Sequence, residues 1–177
     1  MSNKSNGTGL YGWQYTGQQR PDFADEPKPG EESVWDYPRP PAIVDDHRVV
    51  RVLALDGTLL ARSSISKRVL ETASPPTFYL PVEALQADLT PVAGSSFCEW
   101  KGQAEYFAYA DQRLAWRYAK PTQAFAELAG WFSFYPAQCQ CFVAGQNVRA
   151  QAGGFYGGWI TQENVGPYKG EPGRSGW

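Results

Sequence analysis

Between residues 97 and 110, apolar and polar side chains alternate. Cys98, Trp100, Gly102, Ala104, Tyr106 and Ala108 fall on one face, and Glu99, Lys101, Gln103 and Glu105 on the other. A period of two over that length predicts one strand with a buried and a wet face. Residues 114–119 then form its partner across an Asp111-Gln112-Arg113 turn. Upstream, the runs 48–55 and 58–63 flank Asp56-Gly57, a dipeptide suited to the positive φ of a tight hairpin. Residues 66–72 read as a single helical turn closed by Ser74-Pro75-Pro76, 77–80 as a strand, and 81–86 as a helical turn with Pro81 near its start. A short helix over 122–128 has Thr122 as cap and Gly130 as stop. Residues 131–135, 139–143, 147–150 and 158–161 complete the strands, with a turn at Gly145. Prolines keep 33–41 extended. No internal repeat is visible. The fold class expected is mainly β: a compact antiparallel sheet, tent- or barrel-like, with one or two short helices.

Residues 1–32 have no hydrophobic period and are rich in Gly, Pro, Gln and acids, yet they carry Tyr11, Trp13, Tyr15 and Phe23. They are expected to form an irregular N-terminal arm anchored by aromatics, with 33–177 as a single β domain. Composition agrees with sheet: aromatics make up 15% of the 177 residues, a class that fits a pleated, half-buried surface. The formal charge of −2 and the absence of a basic cluster beyond Lys67-Arg68 argue against nucleic acid. No apolar run approaches the roughly 18 residues that span a bilayer, so no membrane association is expected. The first residues show no apolar export signal. Three cysteines are too few for a disulfide scaffold, and a reducing, cytoplasmic location is expected.

Few strings carry chemistry. Gly7-x-Gly9-x-x-Gly12 matches the dinucleotide fingerprint but lacks the strand before and the helix after that the chemistry requires. His47, the single histidine, lies beside Asp45 and Asp46 and reads as a solvated turn residue rather than a catalytic base. Cys139 and Cys141 with Cys98 make at most three sulfur ligands where structural zinc takes four, so buried apolar thiols are expected and no metal. No cofactor motif is present, and the oligomeric state stays open. Glu99 and Lys101 around Trp100 form either an exposed ion pair or a charged edge beside an aromatic floor. In 153–159, four glycines surround Phe155, Tyr156 and Trp159, which lets the backbone pass close to either the protein's own core or a planar ligand. Residues 166–173 repeat the idea with Lys169 added, without the order of a phosphate loop.

The strings SVWDYPRPP (33–41), RVLETASPPTFYLP (68–81), FCEWKG (97–102), AWRY (115–118), FYP (134–136), GGFYGGWIT (153–161) and GPYKGEPGRSGW (166–177) closely resemble the family known as domain of unknown function 427. The resemblance covers about 33–177 in the family's order. It implies a small bacterial or fungal β protein with a tent-like antiparallel sheet, and a single thiol near Cys141, which makes Cys139 incidental. Some members carry a nucleotidyltransferase label. The usual motif, a Gly-Ser turn followed closely by two acids that hold Mg²⁺, is missing: after Gly94-Ser95-Ser96 the next aspartate is Asp111.

The leading expectation is a small-molecule ligand held by Tyr37, Arg39, Arg68, Glu71, Trp100, Lys101, Tyr156 and Trp159. Aromatic surface would hold it, and a few charges would orient it. The rivals are an enzyme using Cys98 or the Glu71/Glu99 acids, and a protein-interaction module. A hollow joining 36–41, 68–76 and 153–159 favours binding. A raised carboxylate pKa, or Cys98 beside His47, favours catalysis.

Overall fold

The computed structural model describes residues 13–174; the Gly7/Gly9/Gly12 match and Tyr11 lie outside the described residues. The Asp56-Gly57 signal holds. Gly57 takes φ 89°, the Asp56 carboxylate accepts the Thr58 amide at 2.9 Å, and Val50–Leu53 pairs with Leu59–Ser63. That hairpin forms half of a four-stranded antiparallel sheet, continued by Gln140–Val143 and Gln146–Asn147. Cys139 and Cys141 are buried against it as free thiols with sulfurs 3.8 Å apart. Burial and the neighbouring Cys139 push the Cys141 thiol well above its usual pKa, so it serves as apolar filling.

A second four-stranded sheet runs in the order Phe132–Phe134, Gln112–Arg117, Gly102–Tyr109, Thr90–Cys98. Here the expected long strand of 97–110 is corrected. It is two antiparallel strands, with Cys98 opposite Gly102 and the chain reversing through Glu99, Trp100 and Lys101. Gly102 takes φ 98°, which a strand interior excludes and a reversal uses. Beyond the turn the alternation is as read through Tyr106, with Gly102, Ala104 and Tyr106 buried and Gln103 and Glu105 exposed; the expected wet face ends there, because Phe107 on that side is buried in the main core. The next hairpin turns at Ala110 and Asp111, both at positive φ.

The third sheet, Ala42–Asp46, Ser66–Leu70 and Thr77–Tyr79, brings another correction. Residues 66–70 are its central strand, not a helical turn. Pairing on both edges satisfies the backbone there, which a solitary turn of helix leaves mostly unpaired. The described helical segments are three short 3₁₀ turns: Val34–Asp36, Val82–Ala84 and Gln123–Leu128. The first replaces extended chain because Ser33 Oγ accepts the Trp35 amide. Thr122 occupies the cap position of the last, but its hydroxyl donates to the Trp100 carbonyl instead and so ties that turn to the 98–102 reversal.

The main core lies between the two four-stranded sheets around Val50, Val52, Leu60, Phe107, Phe134 and Trp159. The bridge between Leu80 and Phe132 joins the second and third sheets, and among the described residues no sheet closes into a barrel. On the outside, Trp13, Tyr15 and Phe23 gather around Trp35 at centroid distances of 6.2, 5.3 and 5.1 Å. Among the described residues no helix is long and apolar enough to cross a membrane.

A charged cluster fastens the third sheet to the Glu32–Ser33 and Asn164–Val165 ladder. Arg68 donates to Glu32 at 3.0 Å, Arg48 spans Asp46 and Glu163 at 2.6 and 2.5 Å, and the Tyr37 hydroxyl donates to Glu32 at 2.7 Å. Burial raises the Glu32 and Asp46 carboxyls, but hydrogen bonds from Arg68 and Tyr37 to Glu32, and from Arg48 to Asp46, outweigh it and leave both below their ordinary values. Folded pKa values below the unfolded 4.5 and 3.8 mean the cluster contributes its full stability above those pH values, and that this contribution is lost as pH falls through the depressed ones. The melting temperature is expected to be flat from pH 8 to about 5.5 and to fall steeply towards pH 3. In Asp46→Asn that acid slope is expected to be shallower.

Candidate functional site

On the face of the second sheet turned away from the main core, Tyr106 and Trp116 sit opposite one another in register. Ala104, next on the same face, is too small to fill the space beside them, and a hollow of about 300 Å³ opens there. That is at the lower end of the roughly 300–1,000 Å³ of ligand pockets. Tyr79 from the third sheet, Tyr118 and Tyr135 complete an aromatic floor. Hydrogen bonds lock it: Trp116 Nε1 donates to the Tyr79 hydroxyl at 3.3 Å, and Ser96 shares a 2.5 Å bond with the Tyr106 hydroxyl. Burial pushes the phenols of Tyr79, Tyr118 and Tyr135 up, which keeps them neutral.

Three segments make the walls: Glu71 to Thr77, Ser96 to Lys101, and Phe155 to Gly157 with Lys169. The glycine string explains the last. A Cβ on Gly157 would lie 2.3 Å from the Trp116 ring, and one on Gly158 2.3 Å from Gln151 Oε1. The backbone therefore passes close to the protein's own side chains, and glycine is what permits it. Tyr156 then joins the wall, and Trp159 turns into the core. Phe97 and Phe155, 74% and 73% exposed, stand on the hollow's margin.

The charges are arranged unevenly. Arg39 donates to Glu71 at 2.7 Å and to Glu99 at 2.8 Å. Its guanidinium lies between the rings of Trp100 and Trp13, 5.4 and 5.9 Å from their centroids. Both carboxylates of the rim are thereby engaged. Lys101 is 9% exposed and lies 5.8 Å from the Tyr118 centroid. Burial works against its ammonium, but Tyr79, Cys98 and Glu71 outweigh burial and hold its pKa above the usual value. Lys169 is the opposite case: burial, with Arg39 adding to it, lowers its pKa against the pull of Glu71 and Glu99. Among the described residues, neither lysine has a carboxylate within ion-pair distance.

Of the eight residues picked from sequence, Glu71, Trp100, Lys101 and Tyr156 line the hollow, and Arg39 braces its rim from behind. Three are not brought there. Tyr37 and Arg68 belong to the Glu32 cluster, and Trp159 is fully buried against Phe78. The exposed Glu99–Lys101 pair is also corrected: the reversal at Gly102 sends Lys101 inward and leaves Glu99 to Arg39. Tyr79, Tyr106, Trp116 and Lys169 were missed as lining residues. The buried-face position of Tyr106 in the alternation was the signal available for one of them.

Cys98 lines the hollow, but His47 is exposed between Ala42–Asp46 and Val50–Leu53 and is not part of it. The carboxylates that shift, Glu32, Asp45, Asp46 and Asp56, all shift downward and lie elsewhere. Asp111 sits in an exposed turn, and Gly94 to Ser96 lie within a strand, so no acid pair forms behind a Gly-Ser turn. Among the described residues no group of three or more His, Cys, Asp or Glu side chains is placed to hold a metal.

A family model described as Domain of unknown function (DUF427) matches residues 42–145. That span contains the floor and two of the three walls, while 155–157 and Lys169 lie beyond it. No curated protein matches the chain.

Proposed function

The chain belongs to the family of the domain of unknown function 427, a description that names no activity, and from that premise we propose that it binds a small planar ligand in the aromatic hollow. One observation carries the reading: rings from distant segments, Tyr79, Trp100, Tyr106, Trp116 and Tyr156, border one open space instead of filling it. Phe78 and Trp159, stacked at 4.9 Å in the main core, border no such space, whereas Trp116 and Tyr135 pack at 4.4 Å on one side and still leave the hollow open on the other. The enzyme alternative has Cys98 at the hollow but loses His47 as its partner.

A thermal-shift screen with nucleobases, nucleosides and aromatic metabolites tests it. A true ligand at a hundredfold excess over its Kd is expected to add about 2.7 kcal/mol of stability, a rise of roughly 5–10 °C for a chain of this length. Ala104→Phe, which fills the hollow, is expected to abolish that rise. A screen in which nothing stabilises the chain, or hits that the filled variant keeps, would refute the binding reading.

A further inference from the structure

Resting on that binding reading, we infer that the ligand is a planar aromatic acid whose carboxylate is received by Lys101 and Lys169. Around the hollow stand three cations, Arg39, Lys101 and Lys169, against two carboxylates, Glu71 and Glu99. Arg39 takes both carboxylates, one on each terminal nitrogen. The lysines are left with phenols, a thiol and aromatic rings: Lys101 beside Tyr118, Tyr79 and Cys98, and Lys169 about 6 Å from the centroids of Trp13 and Tyr156. The Lys169 ammonium, which burial disfavours, is costly to keep without an opposite charge, and the Lys101 ammonium has no carboxylate at ion-pair distance among the described residues. An anion that enters the hollow supplies that charge.

A carboxylate carries two oxygens, so one such group can accept from both ammonium groups. A cationic ligand is disfavoured for the matching reason, since the acids that would receive it are already held by Arg39. The rest of the ligand is set by the floor and the margin. Neutral phenols, Trp116 and the exposed rings of Phe97 and Phe155 offer apolar, flat contact from the floor outward. At about 300 Å³ the space suits one or two fused rings.

The test compares acids with their neutral amides on the unaltered chain: benzoate, 2-naphthoate and indole-3-carboxylate against benzamide, 2-naphthamide and indole-3-carboxamide, by calorimetric titration. At least one acid is expected to bind about 10- to 100-fold more tightly than its amide, the scale of a hydrogen bond to a charged group. In Lys101→Met the acid is expected to lose most of that advantage while the amide is unaffected, and Lys169→Gln is expected to lose a smaller part. Equal binding of acid and amide overturns the inference and leaves the pocket standing. Failure of every acid to bind overturns the inference as well, and the separate screen with the Ala104→Phe control then decides the pocket. The comparison on the unaltered chain holds even if a lysine variant does not fold.

Discussion

Replacing Trp159 by alanine is expected to lower stability by about 3–5 kcal/mol, the range for truncating a fully buried tryptophan, and the melting temperature by roughly 6–20 °C. Trp159 is 0% exposed, stacks on Phe78 at 4.9 Å, and donates its indole N–H to the Phe134 carbonyl at 2.9 Å. Its amide also donates to the Pro76 carbonyl, so a single residue joins the glycine-rich loop to the second and third sheets. Truncation removes apolar contact and leaves a buried carbonyl without its donor. Trp159→Phe keeps most of the volume and is expected to cost less than half as much, mainly the lost hydrogen bond. Because Tyr156 and Gly157 precede this anchor and form one wall of the hollow, ligand affinity is expected to fall in the alanine variant together with stability. Chemical denaturation, read beside binding of a screen hit, checks both. A loss under about 1 kcal/mol, the ordinary size of a surface change, would show that Trp159 does not anchor the loop.

The second large effect is expected at Arg39. Its side chain is 12% exposed and bridges two carboxylates, Glu71 and Glu99, that are 25% and 27% exposed. Arg39→Ala removes the cation that both acids share, and is expected to cost about 2–3 kcal/mol, less than breaking a fully buried pair because water reaches the carboxylates. Arg39→Lys is expected to recover only part, since an ammonium lacks the forked geometry that serves two partners at once. The variant also changes the hollow. With Glu71 and Glu99 released beside Lys101 and Lys169, the lysines acquire carboxylate partners and affinity for an anion is expected to drop. Combining Arg39→Ala with Glu71→Gln and Glu99→Gln separates the two effects: the triple variant is expected to recover stability relative to Arg39→Ala alone. If Arg39→Ala melts within about 1 °C of the unaltered chain, below what 1 kcal/mol produces, the bridge is only a surface pair.

The hollow was legible in parts. Glu71, Trp100, Lys101 and Tyr156 stood out because charges and rings flanked prolines, glycines and a predicted strand, where loops converge. Trp159 shared the same glycine string as Tyr156 and went to the opposite environment, since two residues of backbone separate a wall from a core. Nothing in the local pattern tells which of two neighbouring rings turns inward. Lys101 gave the clearest disagreement. Strict alternation placed it on the wet face, and the positive φ at Gly102 turned that stretch into a reversal that buries it. The reading of 66–72 as a helical turn failed for a related reason: Ser66–Leu70 is held extended by partners some twenty residues before and about ten after it in sequence.

Signals local to a few residues, such as Asp56-Gly57, the alternation over 102–106, Pro81 at the head of a turn and the aromatic content, were enough to determine a mainly β, antiparallel chain, because each acts through its own backbone torsions or a period of two. The ion pairing of Arg39 with Glu71 and Glu99, the inward turn of Lys101, and the meeting of Tyr79, Tyr106, Trp116 and Tyr156 around one space were decided only by tertiary structure. They depend on which distant strands pair and in what register, and electrostatic neighbours in space leave no mark on spacing along the chain.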